Sequence, residues 1–236
     1  MTSRQAQRET RVDKGEAVAK GAVIVVGAGP GLGLAIARVF AQAGHPVALI
    51  ARRKERVQAL VGDLVSYGMP ALAYQADASE PGNLRVAITD AIADLGAPAS
   101  LVYNAALLRR DSPTDGDDGG WVTAMAVDVL GAKVAAETVL PSFEGERQSL
   151  LFTGGALATR PSPSFASLSV GKAALRAYVQ ALSVQLVDSP VHAAIVTIDG
   201  TVDGGLPQLS SVAIAKAYLQ LHEAEPGTRV NEVIVR

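Results

Sequence analysis

The sequence predicts an α/β fold: a single domain built on a doubly wound parallel sheet with helices on both faces. Three observations carry this. Short apolar runs rich in β-branched residues alternate with helical patterns from Ala22 to the end of the chain. The first run, Val23-Ile-Val-Val26, enters a loop with glycine at 27, 29, 31 and 33, and a helical pattern follows from Leu34. A chain of 236 residues with no internal repeat suits one large core.

The glycine loop is the most informative stretch. A buried strand, a glycine turn and then a helix present free backbone N–H groups and a helix N-terminus to a phosphate. Glycines let the pyrophosphate approach the backbone and supply unusual φ angles. Gly27, Gly29, Pro30, Gly31, Leu32 and Gly33 are therefore candidate contacts to a dinucleotide. The segment from Gly21 to Ala37 carries no charge, but its five glycines and Pro30 argue against a membrane span.

Bulk properties narrow the classes. With 49% hydrophobic and 19% charged residues the chain is expected to fold compactly and to be soluble. A net charge of −2 gives no general attraction to nucleic acid or acidic membranes. There are no cysteines, so disulfides and thiolate metal sites are excluded. His45, His192 and His222 lack metal-ligand spacing and read as loop or surface residues. Residues 1–20 are polar, with no apolar core of a secretory signal; they read as a poorly ordered leader to a domain spanning 21–236, and the cytoplasm is the expected location.

The second strand is read at Pro46–Ala51, after a helix stop at Gly44. Arg52, Arg53 and Lys54 follow it, where the second strand of such a sheet ends beside the adenosine ribose. An acid there favours NAD, whereas arginine pairs with a 2′-phosphate, so NADP(H) is preferred over NAD(H). The alternative is a solvated basic start to the helix at Glu55–Ser66. A third strand, Ala71–Ala76, ends at Asp77, which is placed to accept from an adenine amino group or to cap the helix at Pro81–Leu95. The fourth strand, Ser100–Tyr103, leads into Asn104-Ala105-Ala106.

The loop 111–120 holds four aspartates, but Ala126 stands where a calcium loop beginning at Asp115 needs its closing glutamate. It reads as a mobile, solvated lead-in to a helix at Trp121–Leu140. A strand at Ser149–Thr153, a long helix at Leu168–Leu186, a strand at Ala193–Ile198, a short helix near Val212–Leu221 and a last strand at Arg229–Val235 complete the pattern.

The glycine spacing, G-x-x-x-G-x-G at Gly27, Gly31 and Gly33, resembles the short-chain dehydrogenase/reductase family, as do Asp77-Ala78, Tyr103-Asn-Ala-Ala106 and Lys172 on the long helix. The resemblance runs from about Ala22 to Arg236. It implies a Rossmann-like domain, a nicotinamide cofactor and hydride transfer to or from a carbonyl or alcohol. It also implies that Asp77, Ala78, Asn104, Ala105, Ala106, Thr153, Lys172 and Gly200 contribute to the cofactor site. The family's catalytic set is Asn, Ser, Tyr and Lys. Here Lys172 matches, whereas the tyrosine position is Leu168, the serine position Gly155 and the asparagine position Asp128. None of the five tyrosines lies four residues before a lysine. The loop Gly27-Ala-Gly-Pro-Gly31, Phe152-Thr-Gly154, Leu168-Ser-Val-Gly-Lys172 and Ile214-Ala-Lys-Ala-Tyr-Leu-Gln-Leu-His222 are similar to a divergent branch of the family.

Three functions follow as expectations. The first is an atypical NADP(H)-dependent oxidoreductase for a small hydrophobic carbonyl or alcohol, suggested by Leu157, Phe165 and Leu206. In it the substrate, bound water or Lys172 supplies the proton, with Thr153, Ser167 and Ser169 as lesser candidates, and an Asp128–Lys172 pair keeps the lysine charged, which favours ribose binding over acid duty. The second is an inert NADP(H)-binding protein, and the third the same scaffold turned to non-redox chemistry. Val170, Ala173, Ala174, Ala177 and Ala181 leave small residues on the long helix; the resemblance implies pairing through this helix and the last strand, so a homodimer or homotetramer is expected.

Overall fold

The computed structural model describes residues 20–145 and 147–236, so nearly all of the expected leader lies outside the described residues. One parallel sheet forms the centre, with strands β1 (Ala22–Val26), β2 (Val47–Ala51), β3 (Ala71–Gln75), β4 (Pro98–Tyr103), β5 (Gln148–Gly155), β6 (Val191–Ile198) and β7 (Glu232–Val235) in the order 3-2-1-4-5-6-7. Strand order reverses between β1 and β4, which opens a crevice at their carboxyl ends.

Alternate residues along each strand feed two apolar layers. Val23, Val25, Val47 and Leu49 pack under helices α1 (Leu32–Gln42), α2 (Lys54–Ser66) and α7 (Ser211–Glu223). Ile24, Val26, Leu101 and Phe152 pack under α3 (Pro81–Leu95), α5 (Gly131–Val139) and α6 (Ala166–Gln185). The inner strands are buried on both sides, which is why they read as continuous apolar runs. Among the described residues no helix is long and apolar enough to cross a membrane.

Several local expectations are corrected. The helix expected at Trp121–Leu140 is α4 (Asp118–Met125), a π turn at Ala126–Leu130 and then α5. The wide turn frees backbone carbonyls, and Tyr103, buried at the end of β4, donates its hydroxyl proton to that of Val127. The aspartate loop is tied down by Arg109, whose guanidinium lies 2.7 Å from Asp117 and 3.5 Å from Asp111. Asp111 in turn accepts from the N–H of Ser167 in the first turn of α6, acting as a cap supplied from another part of the chain.

The three histidines are buried, not at the surface. His45 Nδ1 meets the Gly21 carbonyl at 2.8 Å. His222 Nδ1 meets Ser149 Oγ at 2.9 Å, and the rings of His45 and His222 stack edge to face at 5.3 Å. Burial, with His45 and nearby cations adding to it, pushes His222 down to about 4, so the ring is neutral. Both ring nitrogens of His192 lie 2.8 Å from carbonyls, those of Leu221 and Val230. Gly21 precedes β1 and Ser149 lies near the start of β5, so this cluster plugs the end of the sheet away from the crevice.

Candidate nucleotide cleft and active site

The glycine loop uses its four glycines in two ways. Gly27 has φ +86°, and a Cβ there would lie 2.3 Å from the Ala105 nitrogen; at Gly33 it would lie 2.9 Å from the Gly27 carbonyl oxygen. These two are required by close packing. A Cβ at Gly29 or Gly31 would meet nothing within 4 Å. Those two leave a space that a ligand can fill. The loop is pinned at its start, because the N–H groups of Gly27 and Ala28 both donate to the Ile50 carbonyl. Gly31 begins α1 without a side-chain cap, so the first-turn N–H groups of Leu32 and Gly33 have no side-chain acceptor.

A cleft of about 470 Å³ lies in front of this loop. It brings together Gly27, Gly29, Pro30, Arg52, Arg53, Asp77, Ala78, Asn104, Ala105 and Ala106 from the expected set. Arg56, one helical turn beyond Arg52, also lines it and was missed by sequence reasoning, although its i+4 spacing was the available signal. All three arginines are exposed, and none is in an ion pair among the described residues. Asp77 does not cap α3: its Oδ1 accepts from the N–H and hydroxyl of Ser79, at 2.9 and 2.7 Å. The helix instead begins at Pro81, whose fixed φ suits a first turn.

Gly31, Leu32, Gly33, Thr153, Lys172 and Gly200 do not line that cleft. Thr153 and Lys172 lie deeper, at the end of β5. Lys172 is buried on α6, and its Nζ donates to the Thr153 carbonyl at 2.7 Å. Burial lowers its pKa, and the charge of Asp128 opposes this. The expected Asp128–Lys172 ion pair is absent among the described residues: no contact within 4 Å joins them. Asp128 sits instead in the π turn with no exposed surface. Its Oδ1 accepts from the Leu107 N–H at 2.8 Å and its Oδ2 has no partner. Burial pushes its carboxyl up to about 6, against the pull of the Leu107 N–H and Lys172. A Cβ on Gly171 would stand 2.7 Å from that of Asp128, so glycine is what lets α6 close on the π turn.

One turn before Lys172, Leu168 is buried and apolar, and no hydroxyl stands there. Gly155 is extended at the end of β5, and a Cβ added there would lie 3.9 Å from its nearest neighbour, the Ile198 oxygen. A Cβ on Gly200 would collide with Leu209. A second groove, about 500 Å³ and almost wholly apolar, runs past Pro113, Trp121, Leu157, Pro163 and Val170. Phe165 is not part of it; its ring lies under the Arg110 guanidinium at 5.4 Å. Leu206 is exposed and lines neither space.

Comparison with known proteins supplies the relatives of this fold. A family model described as short chain dehydrogenase matches residues 21–204. A short chain dehydrogenase of Pseudocercospora fijiensis is 31% identical over 169 residues, covering 69% of this chain and 54% of that protein. The chain thus spans little more than half the length of that curated relative. Among solved structures, a short chain dehydrogenase from Burkholderia cenocepacia in complex with NADP is 26% identical with a TM-score of 0.82, covering 92% of this chain and 96% of that one. An NADPH-bound short chain oxidoreductase from Pseudomonas aeruginosa containing an atypical catalytic center has a TM-score of 0.81 at 22% identity, covering 91% and 95%. At that identity the likeness is one of fold.

Proposed function

This chain belongs to the short chain dehydrogenase family, and from that premise we propose that it is an NADP(H)-dependent oxidoreductase with a non-standard catalytic site, acting on a small apolar carbonyl or alcohol. The observation that carries the cofactor reading is the cleft that Gly27, Gly29 and Pro30 share with Arg52, Arg53 and Arg56, with open space where a Cβ on Gly29 would stand. A dinucleotide fits these residues: the uncapped start of α1 suits its pyrophosphate, and the three exposed guanidiniums suit a 2′-phosphate. When bound, the nicotinamide supplies or accepts the hydride.

The chain's own residues orient and move a proton. Asn104, Ala105 and Ala106 line the cleft beside the start of the glycine loop. Lys172 holds three N–H bonds, one committed to the Thr153 carbonyl, which leaves two for a cofactor hydroxyl or a substrate oxygen. With Leu168 and Gly155 in the positions the family gives to tyrosine and serine, Lys172 is the proton donor in our reading. Its lowered pKa makes the ammonium a better acid than a free lysine.

A second reading, an inert NADP(H) binder, is favoured by that same pair: Leu168 is apolar and Gly155 has no side chain. Fluorescence titration with NADPH and NADH tests the cofactor. A clear preference for NADPH is expected, and equal affinity or no binding overturns the assignment. Turnover of an aldehyde, ketone, enone or imine panel that Lys172→Ala abolishes, with NADPH binding kept, supports the oxidoreductase. Binding without turnover supports the inert protein.

We further propose that copies of the chain pair through α6, where Val170, Ala173, Ala177 and Ala181 form an exposed stripe of small residues, and that the protein works in the cytoplasm. A monomeric mass by light scattering at micromolar concentration contradicts the pairing.

A further inference from the structure

Three hydrogen bonds connect α7 to the glycine loop, and their directions are fixed. The Gly27 carbonyl only accepts, so Asn104 offers it Nδ2, at 3.0 Å. This leaves Asn104 Oδ1 as an acceptor, which Thr153 Oγ1 fills by donating at 2.9 Å. The Thr153 hydroxyl, its proton used, accepts from Tyr218 Oη at 2.7 Å. The backbone N–H of Asn104 adds a bond to the Val26 carbonyl at 2.8 Å.

Tyr218 is fully buried and comes from α7, which contributes no residue to the cleft in front of the loop. Thr153 stands at a junction. Its side chain reaches the loop through Asn104, and its carbonyl receives Lys172 Nζ. Gly27 is the residue at which β1 turns into the loop with positive φ, so the orientation of its carbonyl sets that of the peptide planes that follow.

We propose that Tyr218 is a positioning residue of the nucleotide site: its hydroxyl, acting through Thr153 and Asn104, holds the Gly27 peptide and keeps the glycine loop aimed at the pyrophosphate. This rests on the nucleotide-binding reading above. A buried, directional chain polarises each member and restrains it more than one isolated bond does. Removing its first donor leaves the buried Thr153 oxygen one bond short and loosens the anchor from which Thr153 holds Asn104.

The test uses Tyr218→Phe, Thr153→Val and the double variant, with NADPH affinity by fluorescence and amide hydrogen exchange over Gly27–Gly33. Tyr218→Phe is expected to weaken NADPH about five- to tenfold and to speed exchange in the loop. Thr153→Val is expected to do at least as much, and the double variant no more than Thr153→Val, because the tyrosine acts only through the threonine. Thr153→Ser, which keeps the hydroxyl, is expected to recover most of what Thr153→Val loses. Additive losses in the double variant, or a lower melting temperature with affinity and loop exchange unchanged, overturn the proposal. If the wild-type chain binds neither nucleotide, the cofactor reading fails on its own and loop exchange alone decides the role of Tyr218.

Discussion

The ends of β1 and β2 and the end of β5 with α6 treat their polar groups in opposite ways. Around the glycine loop the groups face outward: uncapped N–H groups, two glycines against open space, and three exposed guanidiniums. Around Lys172 they face inward. The ammonium is committed to the Thr153 carbonyl, while Asp128 Oδ2 and Ser167 Oγ are buried without partners. The first region is arranged to meet an anion arriving from solvent. The second is largely buried, and the proton transfer proposed for it falls to the few polar groups held there. A binding site built from backbone tolerates much sequence change, whereas chemistry depends on single side chains.

The sharpest way to break this contrast is to restore hydroxyls to the buried region. Leu168→Tyr combined with Gly155→Ser is expected to raise NADPH-dependent reduction across a carbonyl panel on the order of 10²–10⁴ over the parent chain. A Cβ at Gly155 would come no nearer than 3.9 Å to another residue, so the serine has room. Steady-state rates of NADPH oxidation measure it. An unchanged rate would show that the two regions are out of register, and not merely short of side chains.

Within the glycine loop, two substitutions of one kind separate fold from site. Gly27→Ala places a Cβ 2.3 Å from backbone at a residue with φ +86°, and is expected to cost more than about 3 kcal/mol. Gly29→Ala meets no protein atom within 4 Å, so it is expected to change stability by less than about 1 kcal/mol while intruding on the nucleotide. Urea unfolding and NADPH titration on both variants read the two effects separately. A Gly29→Ala chain that binds as tightly as wild type would move the pyrophosphate elsewhere.

Much of this was legible in the sequence because it depends on period and on backbone chemistry. Val23–Val26 is apolar throughout because both faces of β1 are covered, and Pro81 marks the start of α3 as a first-turn proline should. What was not legible depends on contacts between distant segments. Nothing local says that Asp111 caps α6, that Tyr103 reaches the Val127 carbonyl, or that His45 and His222 share a pocket. The π turn at Ala126–Leu130 leaves no composition signal, since the residues suit an α-helix equally well. Asp128 was picked out as a candidate, but its isolation from Lys172 follows from how α6 closes on that turn.

That isolation has a pH signature. Burial raises the Asp128 carboxyl to about 6 in the folded chain against a usual 3.8, and the charged group facing it is Lys172 from α6. Below about pH 3 the carboxyl is protonated in both states and costs nothing. As pH rises toward 6 the unfolded chain releases its proton first, so stability falls, and above 6 the full deficit persists. Two pH units correspond to about 3 kcal/mol. Asp128→Asn is expected to abolish that fall, so the stability difference between the two proteins should shift by about 3 kcal/mol from pH 3 to pH 8 in urea unfolding. Parallel curves would mean that the carboxyl is better solvated than its burial indicates.

The smallest expected effect probes the outward-facing region, and its size is itself informative. Arg52, Arg53 and Arg56 are all exposed, so each interacts with an incoming 2′-phosphate through water as well as directly. Exposed charge pairs contribute little singly, although a bidentate guanidinium–phosphate contact contributes more. Arg52→Ala is therefore expected to weaken NADPH about tenfold and to leave NADH within about twofold, because NADH lacks the phosphate. Raising the salt concentration should shrink the difference, as screening removes the long-range share but not the direct bonds. If Arg53→Ala or Arg56→Ala costs as much as Arg52→Ala, the three act as a diffuse basic surface. If Arg52 alone carries the loss and most of it survives high salt, one guanidinium makes a direct contact. That outcome would give the outward-facing region one side chain as decisive as those the buried region lacks.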